Sequence, residues 1–235
     1  MKSGKIYLFP SFLAPAAPGN VLPQRNIDLI KTISYFVVEE LRTARRFLKA
    51  CDREIDIDAL HFEVLNEHTP AEEVDAMLAP VIAGHDLGIV SEAGCPAVAD
   101  PGADLVALAQ RKGIEVVPLV GPSSILMSLM ASGFNGQSFT FLGYLPVDAS
   151  ARAATYRSME HDILRLNRTQ IFIETPYRNN KLIADLCKSF KGSMQLCVAV
   201  DITGEAQQIK TQSLSDWSRS KYDFAKRPAI FLLYR

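Results

Sequence analysis

Short apolar runs alternate with segments of helical periodicity along the first half of the chain. The apolar runs predict β-strands at residues 5–9, 35–38, 62–65, 87–90 and 116–119. Between them, apolar residues recur at helical spacing, which predicts helices at residues 26–34, 39–50, 70–83 and 103–112. Residues 10–24 hold repeated prolines and predict a loop. Such alternation is typical of an α/β fold with a mainly parallel sheet.

The pattern changes after Gly121-Pro122, which we interpret as the junction between two domains. In the second half, strands are predicted at residues 139–142, 170–174, 195–200 and 229–234. Helices are predicted at residues 123–132, 149–166 and 179–190, with a short one near 213–219. The later strands follow one another closely, which indicates some antiparallel pairing. We therefore predict two α/β domains, residues 1–120 with a mainly parallel sheet and residues 121–235 with a mixed sheet.

The composition is ordinary for a globular protein and excludes several functional classes. Apolar residues make up 48% of the 235 residues, and the formal net charge is −1, so no global field attracts nucleic acid. No apolar run approaches the length of a membrane span, and the N-terminal residues lack secretory features, so we expect a cytoplasmic protein. The four cysteines form no C-x-x-C pair, and we expect reduced thiols and no metal site.

The segment SEAGCPAVADPG, residues 91–102, directly follows the predicted strand 87–90. Gly94 and Gly102 permit backbone conformations and ligand approach that a Cβ would block, while Pro96 and Pro101 restrict the bend. In open α/β sheets, ligands bind beyond the carboxyl ends of the strands. The segment matches neither a P-loop nor a G-x-G-x-x-G motif, which disfavours phosphate binding. From spacing alone, a ligand loop and a plain tight turn are equally supported.

The same segment resembles the S-D-A-G-x-P-x-x-x-D-P-G signature of the tetrapyrrole methylase superfamily. Further stretches resemble motifs of that superfamily in the same order along the chain: VEELRTARRFL, NEHTP, VVPLVGPSSILMSLMASGF, FTFLGYLP and QIFIETPYR. The most similar branch methylates the ribose 2′-hydroxyl of a cytidine in 16S ribosomal RNA. The resemblance implies two α/β domains with a cleft between them for S-adenosylmethionine, and it implies a homodimer.

The resemblance also implies which residues bind the cofactor. These residues are Ser91, Glu92, Ala93, Gly94, Val98, Ser123, Ser124, Tyr144, Glu174, Ala199, Pro228 and Ala229. Glu92 stands where the family usually has Asp. Because a ribose hydroxyl must lose its proton, a nearby carboxylate or histidine would help, and the candidates are Glu39, Glu40 and His68. The candidates for contact with substrate phosphate are Arg42 and Arg45.

Structural roles compete with several of these assignments, and the sequence also departs from the family pattern. Helix N-terminal positions explain Glu39 and Glu40 equally well, and capping is the better explanation of Asp100. Residues 10–24 form a longer loop than the family's T-P-I-G-N-L. Pro228-Ala229 resembles the ending of the porphyrin-ring methylases.

Three functions follow from these features. The leading hypothesis is a ribosomal RNA ribose 2′-O-methyltransferase. The alternatives are a methyltransferase acting on a small molecule such as a tetrapyrrole, and a non-catalytic module that binds the cofactor or RNA.

Overall fold

The computed structural model describes residues 3–235. Contacts between Cα atoms divide the chain into two units, Met1–Ser123 and Ser124–Arg235. Each unit holds one five-stranded sheet with helices, so the predicted α/β class is confirmed. Among the described residues, no helix is both long enough and apolar enough to cross a membrane.

The first unit is built on a sheet of five parallel strands in the order β3-β2-β4-β1-β5. The strands are β1 (Ile6–Phe9), β2 (Tyr35–Val38), β3 (His61–Val64), β4 (Leu87–Val90) and β5 (Val116–Pro118). The helices are α1 (Pro18–Val21), α2 (Gln24–Ile30), α3 (Leu41–Cys51), α4 (Ala71–Val74), α5 (Ala79–Ile82) and α6 (Gly102–Arg111). Short 3₁₀ turns occupy Ile57–Ala59 and Ala76–Leu78. Because all five strands are parallel, their carboxyl ends meet at one edge of the sheet.

Strand β4 lies in the middle of this sheet and is buried along its whole length. Its side chains reach two apolar clusters, one containing Ile89 and Leu105 and the other containing Val90 and Phe47. A Cβ at Gly88 would lie 2.7 Å from the Phe36 ring, so the strand admits only glycine there without a shift of that ring. Apolar cover on both faces is what a parallel sheet requires.

The second unit has a mixed sheet in the order β6-β7-β10-β8-β9. The strands are β6 (Phe139–Tyr144), β7 (Thr169–Ile173), β8 (Gln195–Val200), β9 (Gln208–Ser213) and β10 (Ala229–Tyr234). The helices are α7 (Ser124–Ser132), α8 (Ala149–Leu166), α9 (Asn179–Ser189) and α10 (Leu214–Arg219), with a 3₁₀ turn at Pro176–Arg178. Strands β6 and β7 are parallel, and the other neighbouring strands are antiparallel. The core includes Trp217, whose indole N–H donates to the carbonyl of Leu196 at 2.8 Å.

Three secondary-structure predictions were wrong. The helix predicted at residues 70–83 is broken into α4, a 3₁₀ turn and α5, because Pro80 has no N–H to continue a helix. The helix predicted at residues 26–34 ends at Ile30, and the loop predicted at residues 10–24 contains α1. The sequence analysis missed β9, whose residues QIKTQS are mostly polar because it is an edge strand.

Candidate functional site

The direction of the chain reverses between β1 and β4 at the carboxyl edge of the first sheet. These strands are neighbours, but the chain leaves them in opposite directions: β2 lies beyond β4, and β5 lies beyond β1. Ligands of open α/β sheets bind where such a reversal occurs. Residues 10–17 leave β1 here, and residues 91–101 leave β4. The two segments are joined directly, because the backbone N–H of Ser11 donates to the carbonyl of Gly94 at 2.9 Å.

The segment after β4 has an unusual backbone that one carboxylate supports. Gly94, Ala97 and Ala99 have φ angles of 77°, 63° and 56°, in the left-handed region. For alanine that conformation costs roughly 1–2 kcal/mol per residue. Asp100 Oδ1 accepts from the backbone N–H groups of Gly102 at 2.7 Å and Ala97 at 3.3 Å. Non-glycine residues held in this region are concentrated at ligand sites.

The two glycines of this segment are required for different reasons. Gly94 combines its positive φ with a close approach, since a Cβ there would lie 3.1 Å from Leu13 Cδ2. Gly102 is set by contact alone, because a Cβ would lie 2.7 Å from Asp100 Oδ1. A larger residue at either position would therefore require the surrounding atoms to move.

Buried polar atoms without partners gather around the same segment. Among the described residues of the first unit, they are Ser11 Oγ, Ser91 Oγ and Asp100 Oδ2. Buried hydroxyls and carboxylates normally have hydrogen-bond partners, and exceptions call for an explanation. Ser11 follows β1, Ser91 follows β4, and Asp100 supports the segment. A polar ligand beside residues 91–101 would supply the missing hydrogen-bond partners.

Of the predicted general bases, Glu39 is the one that contacts this segment. It follows β2, and its Oε2 accepts from the backbone N–H of Glu92 at 3.3 Å. Burial raises the pKa of Glu39, and the nearby charges of Asp100, Glu92 and Glu67 add to the rise, against a lowering by the hydrogen bond from Glu92. A partly desolvated carboxylate with a raised pKa is suited to accept a proton.

Glu40 and His68 occupy different environments. Glu40 caps α3, because its carboxylate accepts from the backbone N–H groups of Arg42 at 2.9 Å and Thr43 at 2.6 Å. These two bonds lower the pKa of Glu40. The side chain of His68 is 85% exposed in the turn after β3, where its Nε2 lies 3.5 Å from Glu67. The structure thus gives Glu40 a structural role and leaves His68 in solvent.

The predicted phosphate contacts lie on α3. Arg42 stands in its first turn, and Arg45 lies one turn further along with its guanidinium 5.7 Å from the centre of the Phe62 ring. Both side chains are exposed. Among residues 3–235, no group of three or more His, Cys, Asp or Glu is arranged to hold a metal ion.

Most predicted cofactor residues of the second unit lie at one edge of its sheet. Tyr144 and Glu174 stand at the carboxyl ends of β6 and β7, and Ala229 begins β10 opposite Val200 at the end of β8. Pro228 precedes Ala229 there. Ala199 is fully buried inside the sheet, and Ser124 begins α7; Ser123 ends the first unit.

Two arginines that the sequence analysis did not single out organise this edge. Arg178 donates to Glu174 Oε1 through Nε at 3.0 Å and through a terminal nitrogen at 2.6 Å. Arg227 donates to Asp201 Oδ2 at 2.7 Å, beside the bond from the backbone N–H of Asp201 to the carbonyl of Pro228. Arg178 follows its partner by four residues, a recognisable spacing, whereas Arg227 and Asp201 are brought together only by the sheet.

The comparisons with known proteins identify the family. The model of the Tetrapyrrole (Corrin/Porphyrin) Methylases matches residues 13–217. The chain belongs to this family. Tetrapyrrole methylases use S-adenosylmethionine, so the predicted enzyme class, a methyltransferase with that cofactor, is confirmed.

Relatives within the tetrapyrrole methylases match most of the chain. "Ribosomal RNA small subunit methyltransferase I" of Xylella fastidiosa is 34% identical over 212 residues, which cover 86% of this chain and 74% of the relative. The protein of the same name from Vibrio cholerae is 28% identical over 207 residues, covering 87% and 69%.

Solved structures of tetrapyrrole methylases share the fold. The methyltransferase CobJ has a TM-score of 0.66 at 16% identity, with 99% of this chain and 95% of that chain covered. Uroporphyrin-III C-methyltransferase from Thermus thermophilus, in complex with S-adenosylhomocysteine, has a TM-score of 0.60 at 15% identity, with 99% and 98% covered. These likenesses confirm the predicted tetrapyrrole methylase-like fold.

Proposed function

We propose that this protein transfers the methyl group of S-adenosylmethionine to a ribose 2′-hydroxyl of small-subunit ribosomal RNA. The names of the relatives in Xylella fastidiosa and Vibrio cholerae support the RNA acceptor. The observation that carries the chemical step is the half-buried carboxylate of Glu39, held against the backbone of Glu92. Methylation of a hydroxyl needs a proton acceptor, and Glu39 is placed to be one.

The donor side of the proposal rests on residues 91–101. Ser91, Glu92, Ala93, Gly94 and Val98 would contact the cofactor there, as the family resemblance implies. The unpartnered atoms Ser11 Oγ, Ser91 Oγ and Asp100 Oδ2 fit a ligand that carries hydroxyl, ammonium and carboxylate groups.

The remaining cofactor contacts rest on the family resemblance. They are those of Ser123, at the end of the first unit, and of Ser124, Tyr144, Glu174, Ala199, Pro228 and Ala229 in the second unit. Ala199 would act through its neighbours, because its own side chain has no exposed surface.

For the acceptor hydroxyl, we assign the proton transfer to Glu39. S-adenosylmethionine supplies a methyl group already activated on a positively charged sulfur. The protein must therefore align the acceptor oxygen, exclude water and take up one proton. As the 2′-oxygen bonds to the methyl carbon, the carbon–sulfur bond breaks and the hydroxyl proton passes to Glu39. Its raised pKa makes the carboxylate a stronger base than a solvated one.

A methyl-transfer assay with labelled cofactor tests this proposal. Immature small ribosomal subunits and a small-molecule extract serve as parallel acceptors. We expect label in the RNA, at a ribose that nuclease digestion identifies. Label in the small-molecule extract alone would favour the tetrapyrrole-like alternative. Binding of S-adenosylmethionine with no transfer to either acceptor would favour the non-catalytic one.

The role of Glu39 is tested with Glu39→Gln against the matched control Glu73→Gln, an exposed position in the same unit. Glutamine keeps an oxygen that can accept from Glu92 but cannot take up the proton. We expect kcat to fall by about 10²–10⁴-fold in Glu39→Gln while the affinity for S-adenosylmethionine stays within a few-fold. The control should keep wild-type kcat. Unchanged kcat in Glu39→Gln would refute the assignment.

The homodimer and the cytoplasmic location are part of the same proposal and rest on the family resemblance. Light scattering on the purified protein should give twice the mass of 25.9 kDa that one chain has. A mass equal to one chain at micromolar concentration would contradict the homodimer.

A further inference from the structure

Helix α3 carries a continuous stripe of positive charge. Because successive residues turn by about 100° around a helix, Arg42, Arg45, Arg46 and Lys49 fall within an arc of roughly 100°. These four residues, here called the α3 stripe, are all exposed. The opposite side of the helix carries the buried residues Ala44, Phe47 and Leu48. Arg53, just beyond the helix end, is also exposed and extends the charge.

Acidic residues flank the stripe at its ends. Glu40 and Asp52 stand at the two ends of α3, and Glu54, Asp56 and Asp58 follow Arg53 along the chain. The carboxylate of Glu40 is engaged in the cap of α3, and Asp52 pairs with Lys31 at 3.1 Å. Within residues 3–235, no member of the α3 stripe forms a salt bridge, and neither does Arg53. The whole chain has a net charge of −1, so this is a local concentration rather than a general excess.

The stripe begins at the candidate site and leads away from it. Arg42 lies three residues after Glu39, and Lys49 lies about 10 Å further along the helix axis. We propose that the α3 stripe and Arg53 bind the phosphodiester backbone of the acceptor RNA, on nucleotides flanking the one that is methylated. This inference rests on the proposed function and extends it, because it places RNA contacts beyond the reacting nucleotide.

The chemistry of the surface favours RNA over an anionic membrane. Arginine presents paired N–H donors that match phosphate oxygens, and four of the five cations are arginine. A membrane-bound helix needs a large apolar face to enter the lipid. The apolar face of α3 is already buried in its own unit. Phosphate contacts of this kind position an RNA strand and carry no sequence information by themselves.

The test removes the three cations furthest from the site. The variant Arg46→Ala/Lys49→Ala/Arg53→Ala leaves Arg42, Arg45 and Glu39 intact, and alanine preserves the helix. The control Arg157→Ala/Lys188→Ala/Lys191→Ala removes three exposed cations from the second unit. For the test variant, we expect KM for the ribosomal subunit to rise at least 10-fold near 150 mM salt, with kcat and S-adenosylmethionine affinity unchanged. The control should match the wild type.

Salt dependence provides the readout that a structural defect would not produce. Each lost phosphate contact reduces the slope of log affinity against log salt concentration by about 0.7 on a single strand and about 0.9 on a duplex, so the test variant should lose about two to three units of slope. If the wild type is active and the test variant has the same KM and the same salt slope, the inference is overturned. Unaltered RNA binding combined with lost binding to phosphatidylserine vesicles would also overturn it. Absence of RNA methylation by the wild type would instead count against the proposed function.

Discussion

Removing the Asp100 side chain should loosen the backbone of residues 91–101 without unfolding the protein. Its Oδ1 is the acceptor for two backbone N–H groups, those of Gly102 and Ala97. Oδ2 of the same carboxylate is buried without a partner. Asp100→Ala removes both bonds, whereas Asp100→Asn keeps an oxygen at the Oδ1 position. The pair of variants therefore separates the hydrogen bonds from the charge.

The expected magnitude follows from the two distances and the backbone they hold. A bond from an amide to a charged acceptor contributes about 1.5–3 kcal/mol, and the 2.7 Å bond to Gly102 falls in this class. The 3.3 Å bond to Ala97 contributes less. Part of the loss is recovered, because Ala97 is released from a left-handed conformation that costs roughly 1–2 kcal/mol. We expect Asp100→Ala to lower the free energy of unfolding by about 2 kcal/mol.

Asp100→Asn should change the free energy of unfolding by less than about 1 kcal/mol. Burial raises the pKa of Asp100, against a lowering by the hydrogen bonds from Gly102 and Ala97, so the buried carboxylate takes up a proton more readily than a solvated one. The stabilising contribution of this group is therefore present at low pH and lost as the pH rises through the raised pKa. Asparagine removes that pH dependence and the cost of burying the charge.

Urea unfolding followed by far-ultraviolet circular dichroism is the assay, since the single tryptophan, Trp217, reports on the second unit. Equal stability of Asp100→Ala and the wild type would refute the structural role. A loss in Asp100→Asn as large as in Asp100→Ala would show that the charge matters more than the two hydrogen bonds.

Three further predictions concern the residues around the same edge. Gly94→Ala should weaken S-adenosylmethionine binding at least 10-fold in a calorimetric titration, because an alanine at φ 77° is strained and its Cβ lies close to Leu13. The control Gly136→Ala, which has open space around it, should leave the affinity unchanged. Unchanged affinity in Gly94→Ala would contradict the placement of the cofactor. Glu40→Ala should lower the free energy of unfolding through loss of the α3 cap, with Glu40→Asp restoring part of it, and kcat should fall far less than in Glu39→Gln. The raised pKa of Glu39 predicts that kcat falls as the pH drops through that pKa. If the pH–rate profile of Glu39→Gln showed the same fall at low pH, Glu39 would be excluded as the base.

Elements with strong local signals were predicted from the sequence. Strand β4 is apolar throughout, and its bounds were predicted correctly. Helix α8 was also predicted with the correct bounds. It begins after Asp148, whose side chain accepts from the N–H of Ala151, and it ends at Asn167 in the left-handed conformation. Where the signal was weak, the element was missed: β9 is an edge strand with mostly polar side chains.

The candidate site was less predictable, because its decisive contacts join distant parts of the chain. The glycines and prolines of residues 91–102 indicated a bend, and the resemblance indicated a cofactor. The contact between Glu39 and Glu92 spans 53 residues and depends on β2 and β4 being neighbours. Local sequence equally supported Glu39 and Glu40 as helix-terminal residues. Only the sheet distinguishes the carboxylate that caps α3 from the one that reaches the segment after β4.

Each sheet brings its own predicted residues to one of its edges, and the two sheets do so by different means. In the first unit all strands are parallel, so the segments after β1, β2, β3, β4 and β5 leave from the same side. In the second unit, β10 enters at the edge where β7 and β8 leave, and so Ala229 meets the ends of strands that lie far away in sequence. Strand pairing, rather than loop length, thus determines which residues meet. A segment such as residues 10–24 can therefore lengthen, and change what it contacts, while the strand ends beside the predicted cofactor residues stay in place.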